Sequence, residues 1–170
     1  MRALFLNGTV GVGKTSVADA VGDLLSDRSV PNAVIDLDWL RNTWPAPDDD
    51  PFNNRVELAN LRLMLGTYRD AGVTHVVLAG VMETAEGRAQ YEQATGDLTV
   101  CRIDVDLDVV RERLGGRHAA HDAHLAWHLE RAGELQGVLD EASLEDAVVD
   151  ATHLTVAEAA AAVLEAAHWP

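Results

Sequence analysis

The sequence predicts an α/β fold, a single three-layer domain in which a five-stranded parallel sheet carries helices on both faces. Apolar runs of strand length alternate with segments of helical period, the pattern of a parallel sheet covered on both sides. The length of 170 residues fits one domain with one core. A glycine-rich loop also stands between the first apolar run and the first helical segment.

The first strand is read at 3–6 (ALFL), and a helix from Thr15 to about Ser26 follows it, with Val17, Val21, Leu24 and Leu25 as its apolar stripe. The second strand is 32–36 (NAVID). The Pro-rich and acidic stretch 43–54 (TWPAPDDDPFNN) reads as a loop long enough to be a lid or a binding segment. A helix then runs to about Ala71, with Leu58, Leu61, Leu65 and Tyr68 on one side, and Gly72 ends it. The third strand is 74–80 and the fourth 99–105. Asp106 caps a helix carrying Leu107, Val110 and Leu114, which Gly115 and Gly116 are expected to stop. Another helix spans roughly 122–139, and the fifth strand is 146–150. Thr155-Val156-Ala157-Glu158 then has the capping-box pattern that opens the last helix. No repeat, low-complexity tract or second domain is visible.

Hydrophobic residues make up 48% of the chain and charged residues 24%, ordinary values for a globular protein. The net charge of −15 argues against a nucleic-acid partner, since a phosphate backbone is bound by clustered Lys and Arg. The single cysteine, Cys101, lies in an apolar strand-like run and is read as a buried core residue of a chain kept in a reducing compartment. The start, MRALFLNG, lacks the long apolar region and small-residue cleavage site of a secretory signal. No apolar stretch reaches the roughly 18–20 residues of a membrane span. The expectation is a soluble, cytoplasmic protein without a membrane partner, with monomer and homodimer both open.

Gly8-Thr9-Val10-Gly11-Val12-Gly13-Lys14-Thr15 fits G-x-x-x-x-G-K-[ST] between a predicted strand and a predicted helix. Gly8, Gly11 and Gly13 let the backbone N–H groups around Val12 turn inward, an anion nest at the positive end of the helix dipole. Lys14 is the only Lys among the 13 Lys and Arg of the chain. Its compact ammonium on a thin stem reaches the β- and γ-phosphates where a planar guanidinium does not fit. Thr15 offers a hydroxyl to Mg²⁺ and Ser16 one to the α-phosphate. Against a glycine-rich turn with a chance lysine, the complete motif in its proper setting points to a nucleoside triphosphate.

A switch GTPase needs N-K-x-D for guanine, which a chain whose one Lys is Lys14 does not have. An ATPase motor ends an apolar strand with a carboxylate, whereas the third strand here ends VVLAG with no acid before Glu83. What stands instead at the end of the second strand is VIDLDWLR (34–41), on the rim where open α/β sheets bind ligands. Asp36 and Asp38 are two apart and able to address the same side, as proton acceptor or as holder of a Mg²⁺-bound water. Either is also a natural helix cap. Arg41 suits a clamp on a polar or anionic substrate group.

These residues resemble the small-molecule kinases of the P-loop superfamily, near the adenylylsulfate kinase and chloramphenicol phosphotransferase type, over almost the whole chain. The resemblance rests on the GTVGVGKTS loop, Asp36-x-Asp38-x-Leu40-Arg41, Asn60 in the following helix and VRERLGGRH (110–118). It implies a strand order 2-3-1-4-5, one domain over 1–170 and a small lid at about 115–125 over ATP. Adenylylsulfate kinases carry D-G-D-N-x-R at the second site, where this chain has Leu37 and Trp39 in place of Gly and Asn. The resemblance therefore implies the general reaction, phosphoryl transfer from ATP with Mg²⁺ to a hydroxyl. In that family lid arginines neutralise the transferring group, a role matched in position by Arg113, Arg117 and Arg131, with Arg117 first. Thr152 and His153 fall where related kinases contact the adenine.

His121, His124 and His128 share one helical face, a spacing that suits a transition metal or simply a polar surface. Trp39, Trp44 and Phe52 are read as lining the second site with Asp36, Asp38, Arg41 and Asn60, for a flat or apolar acceptor, or else as core residues. Asp48 to Asp50 read as a solvated loop or as a feature favouring a cationic substrate. The sequence thus predicts a Mg²⁺-ATP-dependent kinase of a small-molecule hydroxyl compound, a metabolite or an antibiotic-like molecule. Lys14, Asp36, Asp38 and Arg117 are its catalytic candidates. A nucleoside or nucleotide kinase and a nucleotide-binding regulatory module of little turnover are the competing readings.

Overall fold

The computed structural model describes residues 1–117 and 123–170, and side chains outside 116–124. Strand β1 (Arg2–Asn7) is central, flanked by β3 (His75–Ala79) and β4 (Asp97–Asp104), with β2 (Asn32–Asp36) and β5 (Ala147–Asp150) at the edges. All pairings are parallel and the order is β2-β3-β1-β4-β5, as the resemblance implied.

The pleat of β1 divides the core in two. Leu4 and Leu6 face α1 (Lys14–Asp27), α5 (Leu107–Arg117), α6 (Ala123–Ala142) and α7 (Val156–Ala166). Ala3 and Phe5 face α3 (Asn54–Asp70) and α4 (Ala85–Thr95). The stripes read from the sequence are the buried faces: Val17, Val21 and Leu25 of α1, and Leu58, Leu61 and Leu65 of α3. Cys101 is buried in β4, and burial pushes its thiol up to about 12, an inert core group.

Three elements depart from expectation. A single-turn helix, α2 (Leu37–Leu40), follows β2 directly, capped by Asp36, whose carboxylate accepts from Asp38 N at 3.0 Å. Helix α4 has no counterpart in the sequence reading, because only Tyr91 and Thr95 are buried and no apolar stripe marks it. It is set up by Thr84, whose hydroxyl accepts from Gly87 N at 3.1 Å, and by the Arg88–Glu92 pair at 2.8 Å. Helix α5 runs on through Gly115 and Gly116 to Arg117 instead of stopping there. Glycine in a helix costs about 1 kcal/mol, and packing of Val110 and Leu114 against the core outweighs that preference. The lid expected at about 115–125, with His121 and the side chains of Arg117 and His124, lies largely outside the described residues.

Candidate active site

The phosphate loop leaves the central strand under tight control. The buried Asn7 side chain accepts from Gly8 N at 2.9 Å and Met82 N at 3.0 Å and donates to Met82 O at 3.1 Å. It thereby ties the start of the loop to the segment after β3. Thr9 Oγ1 donates to Ala132 O of α6 at 2.7 Å. At Gly8 a Cβ would stand 2.6 Å from Ile103 O, so no other residue fits without moving a neighbouring strand. Gly13 has φ +99°, the left-handed turn that delivers the chain into α1.

Lys14 Nζ donates to Gly8 O at 2.9 Å and Thr9 O at 3.0 Å, arching back over the loop. Burial of the ammonium lowers its pKa to about 8, against the pull of Asp38 and Asp36 in the other direction. Thr15 Oγ1 donates to Asp36 Oδ2 at 2.8 Å. Asp36 is therefore fixed at both oxygens, by Thr15 and by Asp38 N. Asp38 keeps its carboxylate 82% exposed and pairs with Arg41 Nη2 at 3.1 Å.

Behind Asp38 lies a group that sequence reasoning missed. Glu57 of α3 is wholly buried, faces Arg41 Nε at 3.0 Å and accepts from the Tyr91 hydroxyl. Burial raises the pKa of Glu57 despite the Tyr91 hydrogen bond and the Arg41 charge, and raises that of Tyr91 as well. Arg41 also donates to Asn54 Oδ1 at 3.4 Å. The sequence offered only Glu57 on an amphipathic helix and Tyr91 on an unrecognised one, with nothing to show that the fold joins them.

A cavity of about 780 Å³ takes in Gly11, Gly13, Lys14, Thr15 and Ser16 of the loop together with Asp38, Arg41 and Arg131. Phe52 lines it, and so do Tyr91 and Trp127, the latter two not foreseen. Trp39 and Asn60 do not line it. Trp39 is 76% exposed, and Asn60 Nδ2 donates to Leu40 O at 2.8 Å, holding the end of α2 against α3. Trp44 is 91% exposed. A second cavity of about 350 Å³ lies across the loop, lined by Gly11, Val12, Gly13, Ser16, Arg113 and the start of α7. Arg113 Nη1 donates to Val12 O at 3.3 Å, so it braces the loop from that side. Thr152 Oγ1 accepts from Asp106 N at 3.0 Å, and neither Thr152 nor His153 lines either cavity.

No protein-family model matches the chain. The chain is similar to solved structures along nearly its full length. With a tunicamycin resistance protein of Deinococcus radiodurans it shares a TM-score of 0.70 at 18% identity, over 99% of this chain and 96% of that one. With the adenylylsulfate kinase CysC of Mycobacterium tuberculosis, solved with AMPPNP and adenylylsulfate, the TM-score is 0.65 at 22% identity, over 98% and 97%. The fold is that of the P-loop kinases. A bifunctional enzyme CysN/CysC of Rhodopirellula baltica is 31% identical over 169 residues, 95% of this chain and 25% of that protein. The chain thus spans about a quarter of that relative's length.

Among the described residues no group of three or more His, Cys, Asp or Glu is placed to hold a metal ion by itself. Thr15 Oγ1 and Asp36 Oδ2, 2.8 Å apart beside the loop, are the hard oxygen donors that suit Mg²⁺. Among the described residues no helix is long and apolar enough to cross a membrane.

Proposed function

We propose that the chain is an ATP-dependent phosphotransferase that moves the γ-phosphoryl group to a hydroxyl of a small molecule. The observation that carries this reading is one cavity of about 780 Å³ shared by the Lys14 loop and by Asp38 and Arg41, which gives donor and acceptor a common space.

The two aspartates divide the work by their partners. Asp36, bonded to Thr15, belongs to the metal side, and the two would hold Mg²⁺ there. When bound, Mg²⁺ would supply neutralisation of the phosphate charge. Asp38, open to the cavity, is the proton acceptor. The acceptor oxygen forms its bond to the γ-phosphorus while the bond from that phosphorus to the β–γ bridging oxygen breaks. ADP leaves with the electron pair and the hydroxyl proton passes to Asp38. Lys14 and Arg131 stabilise charge on the phosphoryl oxygens, and Arg117 is assigned the same role from its place in the sequence.

ADP release measured against a broad panel of hydroxyl compounds tests the reading. Acceptor-dependent release is expected. ATP binding that no acceptor turns into ADP would favour the regulatory module. Lys14→Ala is expected to weaken ATP binding by more than about tenfold, because charge-assisted contacts to phosphate are lost. Unchanged affinity in equilibrium titration would remove Lys14 from the site.

A further inference from the structure

We infer that the acceptor is a hydroxylated organic cation with an apolar body, recognised by the wall of the large cavity that carries Glu83 and Glu86. The inference rests on the kinase reading above and concerns the chemical class of the acceptor.

Three arginines line the cavity, Arg41, Arg55 and, toward the phosphoryl group, Arg131. Taken alone they would suggest an anion. Each, however, already faces two carboxylates. Arg41 meets Asp38 at 3.1 Å and Glu57 at 3.0 Å. Arg55 meets Asp49 at 2.8 Å and Asp50 at 3.6 Å. Arg131 meets Glu83 at 2.6 Å and Glu134 at 3.0 Å. These partners outnumber the guanidiniums two to one; Asp38 and Glu83 line the cavity with Glu86, and Asp49, Asp50, Glu57 and Glu134 stand outside the lining.

An anionic acceptor would have to take a guanidinium from its partners. At Arg41 it would displace Asp38 from Nη2 and come up against Glu57, which is wholly buried and is held by Arg41 Nε at one oxygen and by Tyr91 at the other. A further anion brought that close to a buried carboxylate meets like-charge repulsion. Lys14 is committed to the phosphate loop through Gly8 O and Thr9 O. Counted with the carboxylates behind its arginines, the acceptor side therefore has surplus negative charge, and the chain as a whole has the same sign, with a net charge of −15.

The apolar share of the same lining comes from Phe52, Leu58, Met82 and Trp127. Phe52 and Trp127 are about half exposed, and aromatic rings attract a cation as well as an apolar body.

Matched acceptors that differ only in charge test the inference. Phenylethanolamine, phenylethanediol and mandelate form one set, and glucosamine, glucose and glucuronate another. Binding is measured by calorimetry with the full chain and a non-hydrolysable ATP analogue with Mg²⁺, after binding of that analogue alone. The cation of at least one set is expected to bind about tenfold tighter than its neutral partner, and the anion weakest, because like charges across an interface repel. Glu86→Lys is expected to erase the preference. An anion bound as tightly as the cation, no binding in either set, or a full preference retained in Glu86→Lys overturns the inference. Failure of the nucleotide analogue to bind would instead overturn the kinase reading.

Discussion

The Lys14 ammonium is held by two loop carbonyls, Gly8 O at 2.9 Å and Thr9 O at 3.0 Å, under enough protein to lower its pKa from 10.5 to about 8. Between these two values the unfolded chain binds more protons than the folded one, so the stability of the nucleotide-free protein rises with pH across the window. Below about pH 8 the full cost of burying the charge remains. Lys14→Met removes that cost. In urea titrations at pH 7 the variant is expected to be more stable by about 1–2 kcal/mol, a figure discounted because the side chain keeps some solvent contact. The gap should close as the pH rises from 8 to 10.5. A less stable variant at pH 7 would show that the two carbonyl hydrogen bonds outweigh the burial of charge. The motif made Lys14 and its glycines legible in the sequence because a phosphate nest needs those residue types at that spacing. Asn7, Glu57 and Tyr91 were not legible. Their roles depend on partners 75, 34 and 34 residues away, and the local sequence of each fits an ordinary strand or helix.

At the scale of elements, the beginnings of α5, at the Asp106 cap, and of α7 were readable to the residue. Thr155 Oγ1 accepts from Glu158 N at 3.3 Å, while Glu158 Oε2 accepts from Thr155 N at 2.8 Å, the reciprocal pair expected from the sequence. Thr155→Ala is expected to cost about 1 kcal/mol, and therefore to lower the melting temperature by about 2–4 °C in a chain of this size. Calorimetric melting checks this, and an unchanged melting temperature would mean that packing of Val163 and Leu164 alone sets the helix. The strands and α1, α3 and α7 were readable because their buried faces repeat with a strand or helix period. Helix α4 was not, since it buries only Tyr91 and Thr95, and its start depends on one Thr84 hydroxyl. Gly115 and Gly116 misled for the opposite reason: local propensity favoured a stop where tertiary packing carries α5 onward. Strand order lay beyond any periodicity and came from the resemblance to P-loop kinases, because it is decided by crossovers between elements rather than within them.

At the scale of the whole molecule, charge is the dominant imbalance. The chain has 28 Asp and Glu against 13 Lys and Arg, so even complete one-to-one pairing leaves a net charge of −15. The arginines of the acceptor cavity and Arg102 are each surrounded by more than one acid, which uses several carboxylates per cation and leaves fewer cations for the remaining surface. Self-repulsion of such a surface works against the compact state. Added salt shortens the screening length to about 8 Å at 0.15 M and about 3 Å at 1 M, which weakens that repulsion while disturbing close or buried pairs such as Arg41–Glu57 much less. Sodium chloride raised from about 10 mM to about 300 mM is therefore expected to increase the melting temperature by a few degrees, about 1 kcal/mol or somewhat more. A surface held together chiefly by its exposed ion pairs would respond with the opposite sign, since screening weakens attraction as well. Melting curves in sodium chloride, repeated in sodium sulfate at equal ionic strength to separate screening from general exclusion effects, distinguish the two. A melting temperature that falls with sodium chloride would show that the exposed pairs, not the excess carboxylates, govern the stability of the fold.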